Sequence, residues 1–150
     1  MALDLFLMEY KIRKTRGSDR DRIFQLLVQL TSKPPDRGIF DQAFDKNSRQ
    51  QDTEYWVLEF KKEVTGFISI HSSNPLHHEK PVHEIQEFIV DASQRGKGLG
   101  SALMLFVLDR FSGGIIELSA NKSRKEAKAF YEGHGFSCSH DKFVYFKESL

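Results

Sequence analysis

Gly96, Gly98 and Gly100 alternate with Lys97 and Leu99 directly after Gln94 and Arg95. A strand-like run, Glu87 to Val90, precedes them, and a helix-like run, Ser101 to Leu108, follows. Glycines at this spacing let the backbone close around a ligand, because no Cβ obstructs the approach. The following helix turns its unpaired N–H groups and the positive end of its dipole toward the same place. Such a turn binds phosphate oxygens, and Arg95 and Lys97 add positive charge. A P-loop is excluded, because G-x-x-x-x-G-K-[ST] does not occur. A Rossmann fingerprint fits poorly: counted from Gly96, its third glycine falls on Ser101, and Asp91 to Arg95 separate strand from glycines. Glu117 nonetheless lies at a distance suited to a ribose contact, so a dinucleotide binder stays as a rival. The plain alternative to any ligand is a glycine-rich turn capping a buried helix.

Other chemistry-bearing residues flank this turn. Glu84 and Gln86 share one face of a strand, and Glu87 points the other way unless a bulge intervenes. Glu87 is therefore read as a solvated strand residue. His77 and His78 lie in a loop just before that strand, with His83 near. Neutral imidazoles beside Glu84 suit a divalent metal, although the spacing matches no standard zinc pattern. Ordinary loop histidines are the plain reading. Further on, Ala127, Phe130 and Tyr131 fall at i, i+3 and i+4, on one helix face. The plain reading of Tyr131 is a core tyrosine with a satisfied hydroxyl. That of Asn121 is the start of a turn.

These residues need a scaffold, and 150 residues suffice for one domain, 1–150, with one core. The net charge is only +1 and no basic stripe is sustained, which argues against nucleic acid. A single cysteine, Cys138, excludes an internal disulfide and suits a reducing cytoplasm. The apolar run Met1 to Met8 contains Asp4 and no basic stretch, so it reads poorly as a signal peptide. The run 102–108 is far below membrane-spanning length.

Alternation marks a strand over Glu9–Thr15. Ser18 and Asp19 offer an N-cap to a helix carrying Ile23, Leu26, Leu27 and Leu30, which ends before Pro34 and Pro35. Ile39, Phe40, Ala43 and Phe44 suggest a second helix to about Asn47. Tyr55–Phe60 and Val64–Ile70 read as a hairpin joined at Lys61–Glu63. A loop at 72–81 leads to a strand at Val82–Val90, the glycine turn, and a helix to about Phe111. Ile115–Ser119 is a strand. Ser123 and Glu126 form a capping box for a helix through about Glu132, ended by Gly133 and Gly135. Phe136–Cys138 and Phe143–Phe146 read as closing strands. The order β-α-α-β-β-β-α-β-α-β-β implies a mixed, mostly antiparallel sheet with one parallel crossover, an α+β fold rather than repeated βαβ units.

Arg95-x-x-Gly98-x-Gly100, after a strand ending at Val90, resembles the pyrophosphate loop of the GNAT family of N-acetyltransferases. Ala127-x-x-Phe130-Tyr131-x-x-x-Gly135-Phe136 resembles that family's second signature. The resemblance covers residues 10–147 and implies acetyl-CoA as co-substrate. Leu76 to His78, Glu84 to Glu87 and Glu117 to Asn121 further resemble aminoalkylphosphonate N-acetyltransferases, which acetylate small aminophosphonates. The implied roles are specific. Residues Arg95, Gly96, Lys97, Gly98, Leu99, Gly100 and Ser101 would hold the pyrophosphate. Backbone of Phe88, Ile89 and Val90 would pair with pantetheine and polarise the thioester carbonyl. Asn121, Ala127 and Phe130 would line the cofactor. Glu84 would take the acceptor's proton and Tyr131 would protonate the leaving thiolate. His77 and His78 would hold a metal over a phosphonate group.

The expected partner is therefore a small-molecule amine, with neither nucleic acid nor membrane, in the cytoplasm, and with a homodimer left open. Other acceptors stay open as well: an aminoglycoside, a polyamine or a protein amine. So does a non-catalytic acetyl-CoA-binding module.

Overall fold

The computed structural model describes residues 9–147. The apolar run Met1 to Met8, read above as a poor signal peptide, lies outside the described residues. The chain falls into two compact units, one ending at Leu118 and one beginning at Ser119.

The first unit is built on a five-stranded sheet in the order β1-β2-β3-β4-β5. Its strands are β1 (Tyr10–Lys14), β2 (Thr53–Phe60), β3 (Glu63–Ser73), β4 (Val82–Val90) and β5 (Ile115–Leu118). β1 to β4 run antiparallel to their neighbours, and β5 lies parallel to β4. The mixed sheet is thus as expected, including the single parallel crossover. The β2–β3 hairpin turns on Lys61 and Lys62, with φ of 52° and 67°. Two positive-φ residues at the tip give the turn whose twist matches that of the strands.

Helices α1 (Arg20–Leu30) and α2 (Arg37–Asn47) cover one face of the sheet. Their apolar residues Ile23, Leu26, Leu27 and Phe44 pack with Val57, Phe67 and Ile89. Val57, Phe67 and Ile89 are direct partners across β2, β3 and β4, so this row defines the α1/α2 face. A run of ring contacts links Phe24, Phe40, Phe44, Tyr55 and Phe67, at centroid separations of 5.2 to 5.8 Å. Aromatic pairs at such distances add stabilisation beyond their burial.

Helix α3 (Leu99–Arg110) covers the other face. Its Leu103, Met104 and Val107 are fully buried. A Cβ built at Gly66 would lie 3.4 Å from the Leu103 side chain, so the bare backbone there lets α3 approach. Phe106 of α3 stacks edge-on against Trp56 of β2, with centroids 4.7 Å apart.

The N-cap expected from Ser18 and Asp19 takes another form. Asp19 does precede α1, but its carboxylate turns back to the Arg13 guanidinium at 2.7 Å and the Arg16 N–H at 2.7 Å. Arg13 holds that carboxyl below its usual range despite burial. A buried arginine fork recruits a carboxylate more strongly than a helix end does.

The second unit contains α4 (Lys125–Gly133). The expected capping box is absent: Asn121 Oδ1 accepts from both the Ser123 N–H (3.0 Å) and hydroxyl (2.8 Å), so Ser123 does not cap the helix. Within this unit the expected closing strands Phe136–Cys138 and Phe143–Phe146 are not assigned. Residues 136–147 carry no ladder, and Phe143, Tyr145 and Phe146 are exposed.

Candidate functional site

The glycine turn is anchored by what precedes it. Asp91, just after β4, donates its N–H to the Thr65 carbonyl at 2.8 Å. Its carboxylate accepts from the Ser93 N–H and hydroxyl, both at 3.0 Å, and pairs with Arg22 of α1. Gln29 of α1 accepts from the Ala92 N–H at 2.9 Å. A short 3-10 turn, Ala92–Gln94, follows. Gly96 and Gly98 then both take φ of 81°, a left-handed conformation that side chains resist. Gly98 is the N-cap residue of α3, and its carbonyl accepts from the Ala102 N–H at 3.0 Å. The amides of Leu99, Gly100 and Ser101 therefore lie in the first turn, where an α-helix offers them no acceptor. Arg95 is exposed on this turn, and its Nε donates to the Val90 carbonyl at 3.3 Å. Lys97 is also exposed and donates to Gln94 at 2.6 Å.

β4 carries a bulge. Glu87 is opposite Ser69, yet Ile85, not Gln86, is opposite Ile70, so Gln86 is the extra residue. The bulge moves Glu84 opposite His71 and places it on the same face as Glu87, the α1/α2 face. The expectation that Glu87 is a solvated residue on the opposite face from Glu84 is thus corrected. Burial holds the Glu87 carboxyl above its usual range, partly offset by the Ser69 hydroxyl, with the Glu84 charge adding to the rise. Glu84 is half-buried and accepts from the Gln86 side chain at 3.3 Å. β5 accompanies β4 only over Val82–Ile85, so Gln86 to Val90 run on beyond the last β5 partner. Phe88, Ile89 and Val90 belong to that extension.

His77 and His78 stack on one another, 4.1 Å between centroids, in the exposed loop before β4. His83 is elsewhere engaged, its Nδ1 2.7 Å from the Ser72 hydroxyl and its ring against Phe111. Among the described residues, no three His, Cys, Asp or Glu side chains group to hold a metal. The donor set therefore does not fit a resident metal.

In the second unit, Ala127, Phe130 and Tyr131 are half-buried positions of α4 on one face, as their spacing implies. Phe130 stacks on His134 at 4.3 Å, and Tyr131 meets Phe136 edge-on at 6.0 Å. Burial pushes the Tyr131 phenol above its ordinary value. Asn121 starts the turn into α4, its side-chain oxygen engaged by Ser123.

Residues 20–136 match the Acetyltransferase (GNAT) family. The chain belongs to that family. It is an acetyl-CoA-dependent N-acetyltransferase, as the loop and α4 signatures imply. The chain is 32% identical to the aminoalkylphosphonate N-acetyltransferase of Salmonella typhimurium over 137 residues, 89% of each chain. Among solved structures it resembles glucosamine-6-phosphate N-acetyltransferase from Arabidopsis thaliana, with a TM-score of 0.76 and 26% identity over 93% of this chain and 99% of that one. A transcriptional regulator from Bacillus halodurans shares the fold, with a TM-score of 0.83 and 22% identity over 93% of this chain and 100% of that one.

Within this GNAT chain, two residues escaped the sequence reading. Ser69 lies in a run of buried residues, Thr65 to Ile70, and looks like strand filler. Glu87 sits one residue beyond a bulge that nothing in the local sequence announces. An acidic residue between the apolar positions Ile85 and Phe88 was the one available signal.

Proposed function

We propose that the acceptor is a small aminoalkylphosphonate, whose primary amine receives the acetyl group. The observation that carries this acceptor class is the likeness to aminoalkylphosphonate N-acetyltransferase, which extends over 89% of both chains.

Acetyl-CoA supplies an acetyl group already activated as a thioester. The left-handed Gly98 and the first-turn amides of α3 suit its pyrophosphate, and this fit supports a binding role for Arg95 to Ser101. The backbone of Phe88 to Val90 pairs with the pantetheine arm and polarises the carbonyl. The likeness of Ala127-x-x-Phe130-Tyr131 to the family's second signature supports a cofactor-contacting role for Asn121, Ala127 and Phe130. The acceptor arrives as an ammonium, with an ordinary pKa of roughly 10, and must lose a proton before it attacks. Glu84, with Glu87 on the same face, provides the negative charge and the proton acceptor. Tyr131 returns a proton to the departing thiolate. Its elevated phenol keeps that proton in place at neutral pH.

Thiol release from acetyl-CoA, measured across amine classes, tests the reading. Aminomethyl- and aminoethylphosphonate should react faster than aminoglycosides, polyamines or peptides, and preference for one of those would overturn the acceptor. Tyr131→Phe should lower kcat by roughly 10²-fold with acetyl-CoA affinity little changed. A kcat within a few-fold of the parent would remove Tyr131 from the chemistry.

A further inference from the structure

The α1/α2 face of the sheet carries a polar row inside apolar surroundings. Val57, Phe67 and Ile89 form one cross-strand row of the core. The next row, two residues along β2, β3 and β4, is Tyr55, Ser69 and Glu87. The row after that is Thr53, His71 and Glu84. Ser69 is fully buried and grips Glu87 twice. Its hydroxyl donates to the Glu87 carboxylate, and its oxygen accepts the Glu87 backbone N–H at 2.9 Å. The phenol of Tyr55 is occupied by the Asn47 amide, which donates to it at 3.0 Å. Among the described residues no lysine or arginine forms an ion pair with Glu87, although ten other carboxylates among them have a cation or histidine partner. A largely buried carboxylate without a cation is costly as a mere structural element, because its charge lacks compensation. It is well suited to a group that must receive a proton.

We infer that Glu87, positioned by Ser69, takes the proton from the acceptor ammonium, while Glu84 is the anion that meets that ammonium at the surface. This rests on the acetyl-transfer reading above and divides the work between its two carboxylates. One proton passes from the ammonium nitrogen to a Glu87 oxygen. A neutral amine with a free lone pair and a neutral carboxyl result, and the proton later leaves to water past Glu84. The elevated Glu87 carboxyl makes it a better base near neutrality than an ordinary glutamate. Other titratable groups face this row from each packed element. β2 brings Tyr55; β3 brings His71, paired with Asp52 at 3.3 Å; β4 brings Glu84; and β5 brings Glu117, in register with Glu84. α1 presents Ile23, Leu26 and Leu27, and α2 presents Asn47.

The test is the acidic limb of kcat/KM for the amine acceptor. Ser69→Ala removes the hydrogen bond that favours the Glu87 anion, so the limb should move to higher pH. Glu84→Gln removes the neighbouring negative charge, so the limb should move to lower pH while KM for the acceptor rises. Glu87→Gln preserves size and the contact with Ser69, and should abolish the limb and lower kcat by roughly 10²-fold or more. Acetyl-CoA affinity, by calorimetry, should be unchanged in all three. Opposite shifts from Ser69→Ala and Glu84→Gln support the inference even if Glu87→Gln fails to fold. An unmoved limb, or a limb lost in Glu84→Gln and kept in Glu87→Gln, overturns it. Absence of thiol release by the parent enzyme with every amine would instead overturn the acetyl-transfer reading itself.

Discussion

Asp91 shows how one side chain ties the sheet to the glycine turn. The Ser93 N–H and the Arg22 guanidinium hold its carboxyl down to about 2, from an ordinary 3.8. Between those values the unfolded chain binds the proton and the folded chain does not. Stability therefore rises with pH through this window, is fully gained above 3.8 and is lost as pH falls through about 2. Allowing for solvent screening around the part-exposed Arg22, the contribution at neutral pH is about 1 kcal/mol. Asp91→Asn should lower stability in urea by that amount at pH 7 and make little difference at pH 2. An equal loss at both pH values would show that geometry, not charge, matters here. At this scale the sequence was legible where a residue type dictates backbone shape, as with the left-handed loop glycines Gly96 and Gly98. It was not legible at Glu87, because whether that carboxylate is buried depends on strand register and not on its neighbours in sequence.

The glycine turn, as an element, shows why local pattern succeeds in one place and fails in another. Gly96, Gly98 and the helix that follows are fixed by short-range sterics, which sequence records directly. Gly98→Val should therefore act twice. A β-branched residue at φ 81° strains the turn, and its side chain obstructs the first-turn amides. Acetyl-CoA affinity should fall by at least tenfold, and unchanged affinity in a folded variant would show that the pyrophosphate lies elsewhere. The start of α4 was misread for an equally local reason. Ser123 had two partners within reach, and Asn121 captured it in a tight turn before it could cap the helix. The closing strands were misread for the opposite reason. Phe143, Val144, Tyr145 and Phe146 have the composition of a strand, but composition supplies no ladder partner, and their own unit provides none.

At the scale of the whole molecule, strand order was the legible quantity. The hairpin of β2 and β3, the short return to β4 and the helical crossover to β5 each leave a signal in loop length or turn chemistry. Those signals sufficed to separate this sheet from a dinucleotide fold. Register and bulges carry no comparable signal, since they are settled by packing on both faces at once. Sequence alone therefore put Glu84 and Glu87 on opposite faces of β4, where the bulge puts them on one.

Trp56 is the single tryptophan of the chain. It sits on β2 beneath α3, edge-on to Phe106, with Arg110 4.8 Å and Lys14 5.5 Å from its ring. Its indole N–H donates to Glu54 at 3.1 Å. The protein therefore carries an intrinsic fluorophore whose surroundings are furnished largely by the helix that begins at the glycine turn. Emission colour and quenching should report whether α3 is seated on the sheet, without any label. Leu103→Ala, which empties a fully buried position of α3 against Gly66, should cost about 2–5 kcal/mol. The emission should shift to the red at correspondingly lower urea. An unshifted midpoint would mean that the light from Trp56 follows β2 alone.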